Sequence, residues 1–316
     1  MPKRLAPALA FVWNAPPLLF TLTTLFWAGN MLVGKALAGQ IPPATLAQMR
    51  WTLAFVLLLP FAARHIRADW PVVRRHIAML ALLGILGISA YNALVYKGLQ
   101  TTTVVNAALL AAIFPMVIAL VGFVLYRDRL SLAQAGGIVC ASAGAATILA
   151  NGDITVFTAF RFVPGDLWVI GAQLAYASYT VMLRERPNLH PLTFLCVTVF
   201  FGQLSLIPFS MADWLADLPV RFDATVAVAA VYLAVFPALL SFMFFNRAVK
   251  LVGSNRAAPY FNLVPFFSVL GAMAILGEQL TVYDAAGWVI IVSGIWLAQR
   301  KPAARRSRPA VHPRAR

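Results

Sequence analysis

The 316-residue chain is 61% hydrophobic and only 11% charged, with a mean hydropathy of +0.82. A soluble domain is nearer half apolar and a quarter charged, so this much apolar surface cannot be hidden in a water-facing core, and an integral membrane protein is expected. The formal net charge of +15 sits in loops and tails between apolar runs, a pattern of membrane topology that argues against nucleic-acid binding.

A spanning helix needs roughly 20 mostly apolar residues. Ten such runs occur in chain order, at 17–38, 43–63, 77–97, 103–126, 132–150, 165–183, 191–211, 225–246, 255–276 and 282–299. Lys3 and Arg4 resemble the basic start of a secretory signal, but Pro16 and Pro17 interrupt the stretch behind them and the next run is long enough to span. It is kept as the first membrane helix, with its prolines in the first turn. Connections are short except 151–164 and 212–224, the latter made acidic by Asp213, Asp217 and Asp223. The tail 300–316 is rich in Arg, Pro and Ala and serves as a topology anchor. Cys140 and Cys196 both fall in apolar runs, where small buried hydrophobes are expected and not a disulfide or a metal site.

With the N-terminus in the cytoplasm, the inner segments hold Lys3, Arg4, Arg64, Arg67, Arg74, Arg75, Arg127, Arg129, Arg184, Arg186, Arg247, Lys250, Arg256 and the basic tail. The outer segments and helix ends keep Lys35, Arg50, Lys97, Arg161 and Arg221. This bias predicts an even number of spans, both termini cytoplasmic, in a bacterial-type inner (plasma) membrane.

One stretch is written twice. Asn106–Gly144 recurs as Arg256–Gly294 at a constant offset of 150 residues. Pro115 maps onto Pro265, Asp128 onto Glu278, Ser131 onto Thr281, Gly137 onto Gly287 and Gly144 onto Gly294. The larger unit holds five spans, an odd number, so the second copy must enter the membrane from the opposite side. The expected fold is therefore all-α and membrane-integral, with ten transmembrane helices in two inverted five-helix repeats. The repeats cover 1–150 and 165–299, separated by the outer loop 151–164 and followed by the tail 300–316.

Several local patterns carry a resemblance. The first span has Phe26-Trp27-Ala28-Gly29-Asn30, the second has Met49-Arg50-Trp51, and both halves end with a Pro, an acid, Leu-Ser/Thr and a Gly-containing helix. In order, and twice, these resemble the EamA family of the drug/metabolite transporter superfamily over almost the whole chain. Asp128 stands where that family more often has Glu. The resemblance implies a ten-helix carrier exporting small metabolites, and points to the exporters of aromatic and other neutral amino acids within that superfamily.

All ten acids fall in loops or at predicted helix ends, and no His lies in mid-span. A proton-coupled pump for cations needs a buried carboxylate, so facilitated diffusion or exchange of neutral or zwitterionic solutes is expected instead. Polar and aromatic residues left in mid-span are the candidate pathway lining: Trp27, Asn30, Tyr91, Asn92 and Asn106 in the first half. The second half offers Gln173, Tyr176, Tyr179, Ser241, Asn246, Tyr260 and Asn262, with Tyr176 nearly the repeat mate of Trp27. Asn amides can bond the two ends of a zwitterion, and aromatic faces suit an apolar side chain. For any one of them, bonding between helices is the alternative. The resemblance implies the same helices.

Arg50 has two open roles, a structural cation held by carbonyl groups or an anchor for a substrate carboxylate. Lys97 and Arg247 are repeat mates that either anchor at the interface or gate opposite mouths, and Asp128 and Glu278 either support the following helix or act in gating. Pro115 and Pro265 are expected kinks and hinges. The glycine pairs Gly137/Gly144 and Gly287/Gly294 predict close helix packing.

The sequence thus predicts a carrier of small molecules in a lipid bilayer, monomeric or homodimeric, without metal or prosthetic group and without enzymatic activity. An exporter of another solute (drug, nucleobase, sugar or lipid-linked group) is the alternative. An intramembrane enzyme is disfavoured because no catalytic cluster lies at membrane depth.

Overall fold

A computed structural model describes residues 10–216, 218, 220–276 and 279–300. Glu278, Asp217, Lys3, Arg4 and the tail beyond residue 300 lie outside the described residues. Within them the chain is helical, with no strand. Ten segments are numbered α1 (Pro16–Ala36), α2 (Pro43–Arg75), α3 (Ile77–Leu99), α4 (Val104–Ala112 and Phe114–Tyr126), α5 (Leu132–Ala150), α6 (Pro164–Met182), α7 (Pro191–Leu215), α8 (Ala224–Val252), α9 (Ser254–Ala274) and α10 (Val282–Gln299). Eight are long and apolar enough to cross a membrane, and the bent pair in α4 makes a ninth. The remaining one, α6, is long enough, but Asp166, Gln173, Tyr176 and Tyr179 dilute its apolarity, and all four are buried among neighbouring helices.

Local chemistry sets the helix starts. Prolines occupy the first turn of α1, α2, α6 and α7, where a missing N–H costs nothing. Ser131 and Gln134 form a reciprocal capping box before α5, and Thr281 and Asp284 form its mate before α10. Asp223 accepts from Val226 N at 2.8 Å to cap α8. Helix ends are less legible in the sequence. Expected to stop at residue 63, α2 runs 33 residues to Arg75, about 50 Å. Apolarity ends at Arg64, but the helix runs on through Asp69, Trp70 and Pro71, so the end of the apolar run does not mark the helix end. For the same reason α7 reaches Leu215, carrying Asp213 into a helix, and α8 reaches Val252.

Hydrogen bonds between helix ends sort the chain into two faces. On the near face, where α1 begins, Arg247 holds Trp13 O and Asn14, Asp69 accepts from His190 N, and Gln299 donates to Arg256 O. His65 and His190 stack there at 3.6 Å, and burial followed by the His65 neighbour pushes the His190 imidazole below its ordinary range. On the far face Thr45 donates to Asp213, Thr281 to Asn151 and Arg221 N to Gln40 O. Each of α2, α7 and α10 thus has one end on either face.

Irregular backbone recurs at the repeat spacing. A π-helical stretch, Ile85–Ala90, interrupts α3, and another, Ala234–Leu240, interrupts α8. The break in α4 falls at Ile113, beside Pro115, with a 53° bend. The corresponding stretch of α9 tightens to a 3₁₀ helix over Ala258–Asn262, just before Pro265. Antiparallel α5 and α10 pack through their glycines: a Cβ at Gly144 would lie 2.7 Å from Gly287 O, and one at Gly294 would lie 2.7 Å from Gly137 O. Between these contacts, Cys140 Sγ meets Ile290 O at 3.4 Å. Gly144 thus meets Gly287 and Gly137 meets Gly294, a reciprocal pairing of the two helices.

Candidate functional site

Three groups of side chains lie between the faces. In the first, Arg50 is the eighth residue of α2, about 10 Å along it. Its guanidinium donates to Asn30 Oδ1 of α1 at 2.5 Å and to Asn92 Oδ1 of α3 at 3.2 Å. The Asn92 amide is oriented in turn, because its Nδ2 donates to Ile88 O at 2.6 Å. That carbonyl belongs to the π-helical stretch of α3, so the irregular backbone supplies the acceptor that aims Asn92. The guanidinium also lies 5.2 Å from the Trp51 ring centroid. Arg50 is only 9% exposed, its Nε bonds to no described residue, and no carboxylate among the described residues pairs with it. It is held by side-chain amides, not by backbone carbonyls.

The second group is aromatic. Trp27 stacks on Phe261 at 5.5 Å and meets Tyr176 edge-on at 6.0 Å. Tyr176 in turn contacts Tyr91 at 5.2 Å and Tyr179 at 5.4 Å, with Phe114, Phe242 and Phe245 around them. The Tyr176 hydroxyl is buried and bonds to no described residue. Beside Trp27 a crevice lined by Thr23, Thr24, Ala257 and Tyr260 leaves no room for a water-sized sphere. The crevice lies where α1, α8 and α9 meet.

The third group is nearer the near face. Tyr179 of α6 donates to Asn246 Oδ1 of α8 at 2.6 Å, and Arg186 donates to Asn246 O at 3.3 Å. Burial pushes Arg186 below the ordinary arginine range. Close by, Asp128 and Arg184 form the one ion pair among the described residues, over the Tyr126 ring. Asp128 accepting its hydrogen bonds holds Arg184 above the ordinary range.

These groups unite Trp27, Asn30, Arg50, Tyr91, Asn92, Tyr176, Tyr179 and Asn246, with Tyr260 on the crevice and Gln173 buried one turn from Tyr176. Other candidates are used elsewhere. Asn106 Nδ2 donates to Arg161 O at 3.0 Å and to Asp166 at 3.3 Å, tying α4 to the start of α6. Asn262 reaches Ser142 of α5 at 3.4 Å, and Ser241 bonds to Thr23 O of α1 at 3.4 Å. Lys97 is exposed at the far end of α3, whereas Arg247 clasps residues before α1. Asp128 caps no helix but pairs with Arg184. In the sequence Arg186 reads only as a topology marker and Asp166 only as a loop-end acid. Asp166 is fully buried, bonded to the Thr102 hydroxyl and to Val163 N. Its place at the first turn of α6, opposite a Thr and an Asn at the start of α4, was the available signal.

The helices long and apolar enough to span are those of a membrane protein, and the chain belongs to the EamA-like transporter family, which it matches over residues 15–150 and 163–299. Among its relatives is an uncharacterized transporter, YyaM, of Bacillus subtilis, 25% identical and covering 87% of this chain and 90% of the relative. A probable terminal-alkyne amino-acid exporter of Streptantibioticus cattleyicolor is 28% identical over 90% of this chain and 93% of its own length. A probable amino-acid metabolite efflux pump of Salmonella typhimurium is 24% identical over 87% and 92%. A solved crystal structure shares the fold with a TM-score of 0.72 at 20% identity, covering 90% of this chain and 96% of the other.

Proposed function

We propose that this chain is an inner-membrane carrier that exports neutral or aromatic amino acids, or compact derivatives of them, by alternating access between two inverted five-helix halves. The observation that carries the substrate class is Arg50, a buried guanidinium held by two amide oxygens with no carboxylate partner among the described residues. A solute carboxylate would supply the missing counter-charge, and the Trp27–Tyr176 aromatic group beside it suits an apolar or aromatic side chain. The reciprocal glycine contacts of α5 and α10 and the paired π-helical stretches support two halves related by an axis in the membrane plane. Basic residues on the near face support a cytoplasmic position for it. The two amino-acid exporting relatives favour the same substrate class.

The test is flux in proteoliposomes against a panel of amino acids and other metabolites, with and without a proton gradient. Saturable amino-acid flux that needs no gradient is expected, and Arg50→Gln should reduce it at least about tenfold, the scale of one lost charge-assisted hydrogen bond. Flux confined to drugs, nucleobases or sugars would overturn the substrate class.

A further inference from the structure

The third group of side chains has the composition of a second binding station. Arg186 lies just past the turn Leu183–Glu185 at the near-face end of α6 and is half-buried, with its guanidinium 5.3 Å from the Phe194 ring centroid. Its Nη1 donates to Asn246 O at 3.3 Å, and no carboxylate among the described residues pairs with it, since Asp128 is taken by Arg184. Asn246 is 4% exposed. Its Oδ1 accepts the Tyr179 hydroxyl, but its Nδ2 is buried and donates to no described residue. Lys250 lies one turn on from Asn246 on the same face of α8, and Arg247 adjoins.

An arginine placed only to satisfy a helix-end carbonyl would not need an unpartnered amide donor beside it. A carboxylate offers two acceptor oxygens, one for a guanidinium N–H and one for the Asn246 amide. The two stations share residue types and two repeat-related positions, although Arg186 and Arg50 are not mates, since Phe200 stands 150 residues from Arg50. Tyr179 is the repeat mate of Asn30 at an offset of 149, and Asn246 is the mate of Tyr96 at 150. Tyr96 reaches Asn92, the amide that holds Arg50. Each half therefore places a guanidinium, a tyrosine hydroxyl and an asparagine amide on its own side of the aromatic midsection.

We propose that Arg186 and Asn246 form a second carboxylate station, on the near-face side of the aromatic group, that takes the carboxylate end of the solute before it passes to Arg50. The ordering rests on the export reading, whereas the carboxylate site itself does not. A solute held by its carboxylate on the near face presents its side chain toward Tyr176 and Trp27, and the aromatic group need part only once to pass it on.

The test measures binding to the full chain in nanodiscs at low ionic strength, with benzoate, L-phenylalanine and L-phenylalaninamide as probes. Benzoate and L-phenylalanine should bind, the amide should not, and Arg186→Gln should weaken the two carboxylates about tenfold. Lys250→Gln touches no hydrogen bond of the station and should weaken them about threefold by loss of field. That exposed variant decides the matter if Arg186→Gln fails to fold. Carboxylate affinities within twofold of the wild type in both variants, or a wild type that binds neither carboxylate, would overturn the station. The export reading fails on a different result, a wild type that moves no amino acid in proteoliposomes, and that result leaves benzoate binding at Arg186 intact.

Discussion

Two tyrosines one turn apart on α6 differ at the scale of a single residue, and under the proposed carrier function that difference separates a structural bond from a solute-directed one. The Tyr179 hydroxyl has a buried partner in Asn246, and the Tyr176 hydroxyl has none among the described residues. A buried hydroxyl without a partner costs stability, and one that is satisfied contributes on the order of 1 kcal/mol. Tyr176→Phe should therefore leave unfolding unchanged or raise stability by up to about 1 kcal/mol, while raising KM for an amino-acid substrate several-fold. Tyr179→Phe should cost about 1–2 kcal/mol, because Asn246 Oδ1 is left buried without its donor. Thermal unfolding paired with flux kinetics checks both, and a destabilised Tyr176→Phe would mean that its hydroxyl has a structural partner. Depth within a span was legible from the sequence for these residues, but the direction each side chain faces was not. Asn30 and Asn106 look alike as mid-span amides, yet one holds Arg50 and the other holds Asp166. Part of the difference is depth, since Asn106 is the third residue of α4 and Asn30 the fifteenth of α1, and part is the direction each helix face turns, which a run of uniformly apolar residues carries almost no period to reveal.

At the scale of an element, the glycines of α5 show which effect wins when propensity and packing disagree. Alanine is favoured over glycine in a helix interior by about 1 kcal/mol. At Gly144, however, a Cβ would meet Gly287 O at 2.7 Å and Ile291 N at 2.8 Å, both fixed backbone. Overpacking of this kind costs about 1–3 kcal/mol, so Gly144→Ala should be net destabilising. Gly136 is the matched control on the same helix, where the nearest atom to a Cβ is Leu297 Cδ2 at 3.4 Å. Gly136→Ala should be neutral or stabilising. Unfolding of the two variants side by side checks the pair, and equal behaviour would mean that α5 and α10 are not in close contact in the membrane. The seven-residue glycine spacing announced this interface, and the patterns Ser131-x-x-Gln134 and Thr281-x-x-Asp284 carry the capping boxes of α5 and α10 in the sequence itself. The length of α2 was not, because Arg64, Arg67, Arg74 and Arg75 stop the apolar run without stopping the helix.

At the scale of the whole molecule, an ion pair, the one among the described residues, joins the two halves at the near face. Asp128 lies beyond the end of α4 in the first half, and Arg184 beyond the end of α6 in the second, with side-chain exposures of 24% and 37%. A pair this accessible is worth about 0–1 kcal/mol, too little to hold the fold but enough to bias an equilibrium between two arrangements. In an alternating carrier the pair exists only while the near face is closed, so its removal should shift population toward the near-open state by at most about fivefold. The reporter is a cysteine at Ala257, which is fully buried on α9 beside the closed crevice, in a Cys140→Ala, Cys196→Ala background. Arg184→Gln should let a water-soluble maleimide reach Ala257→Cys from the near face about two- to fivefold faster, with unfolding almost unchanged. The exchanged pair Asp128→Arg with Arg184→Asp should return the rate toward that of the parent. Labelling that does not respond to either change would make the pair a surface bond with no part in access. The closing of the near face would then rest on the Arg247 clasp to Trp13 and Asn14, another connection there that joins the two halves through a cation.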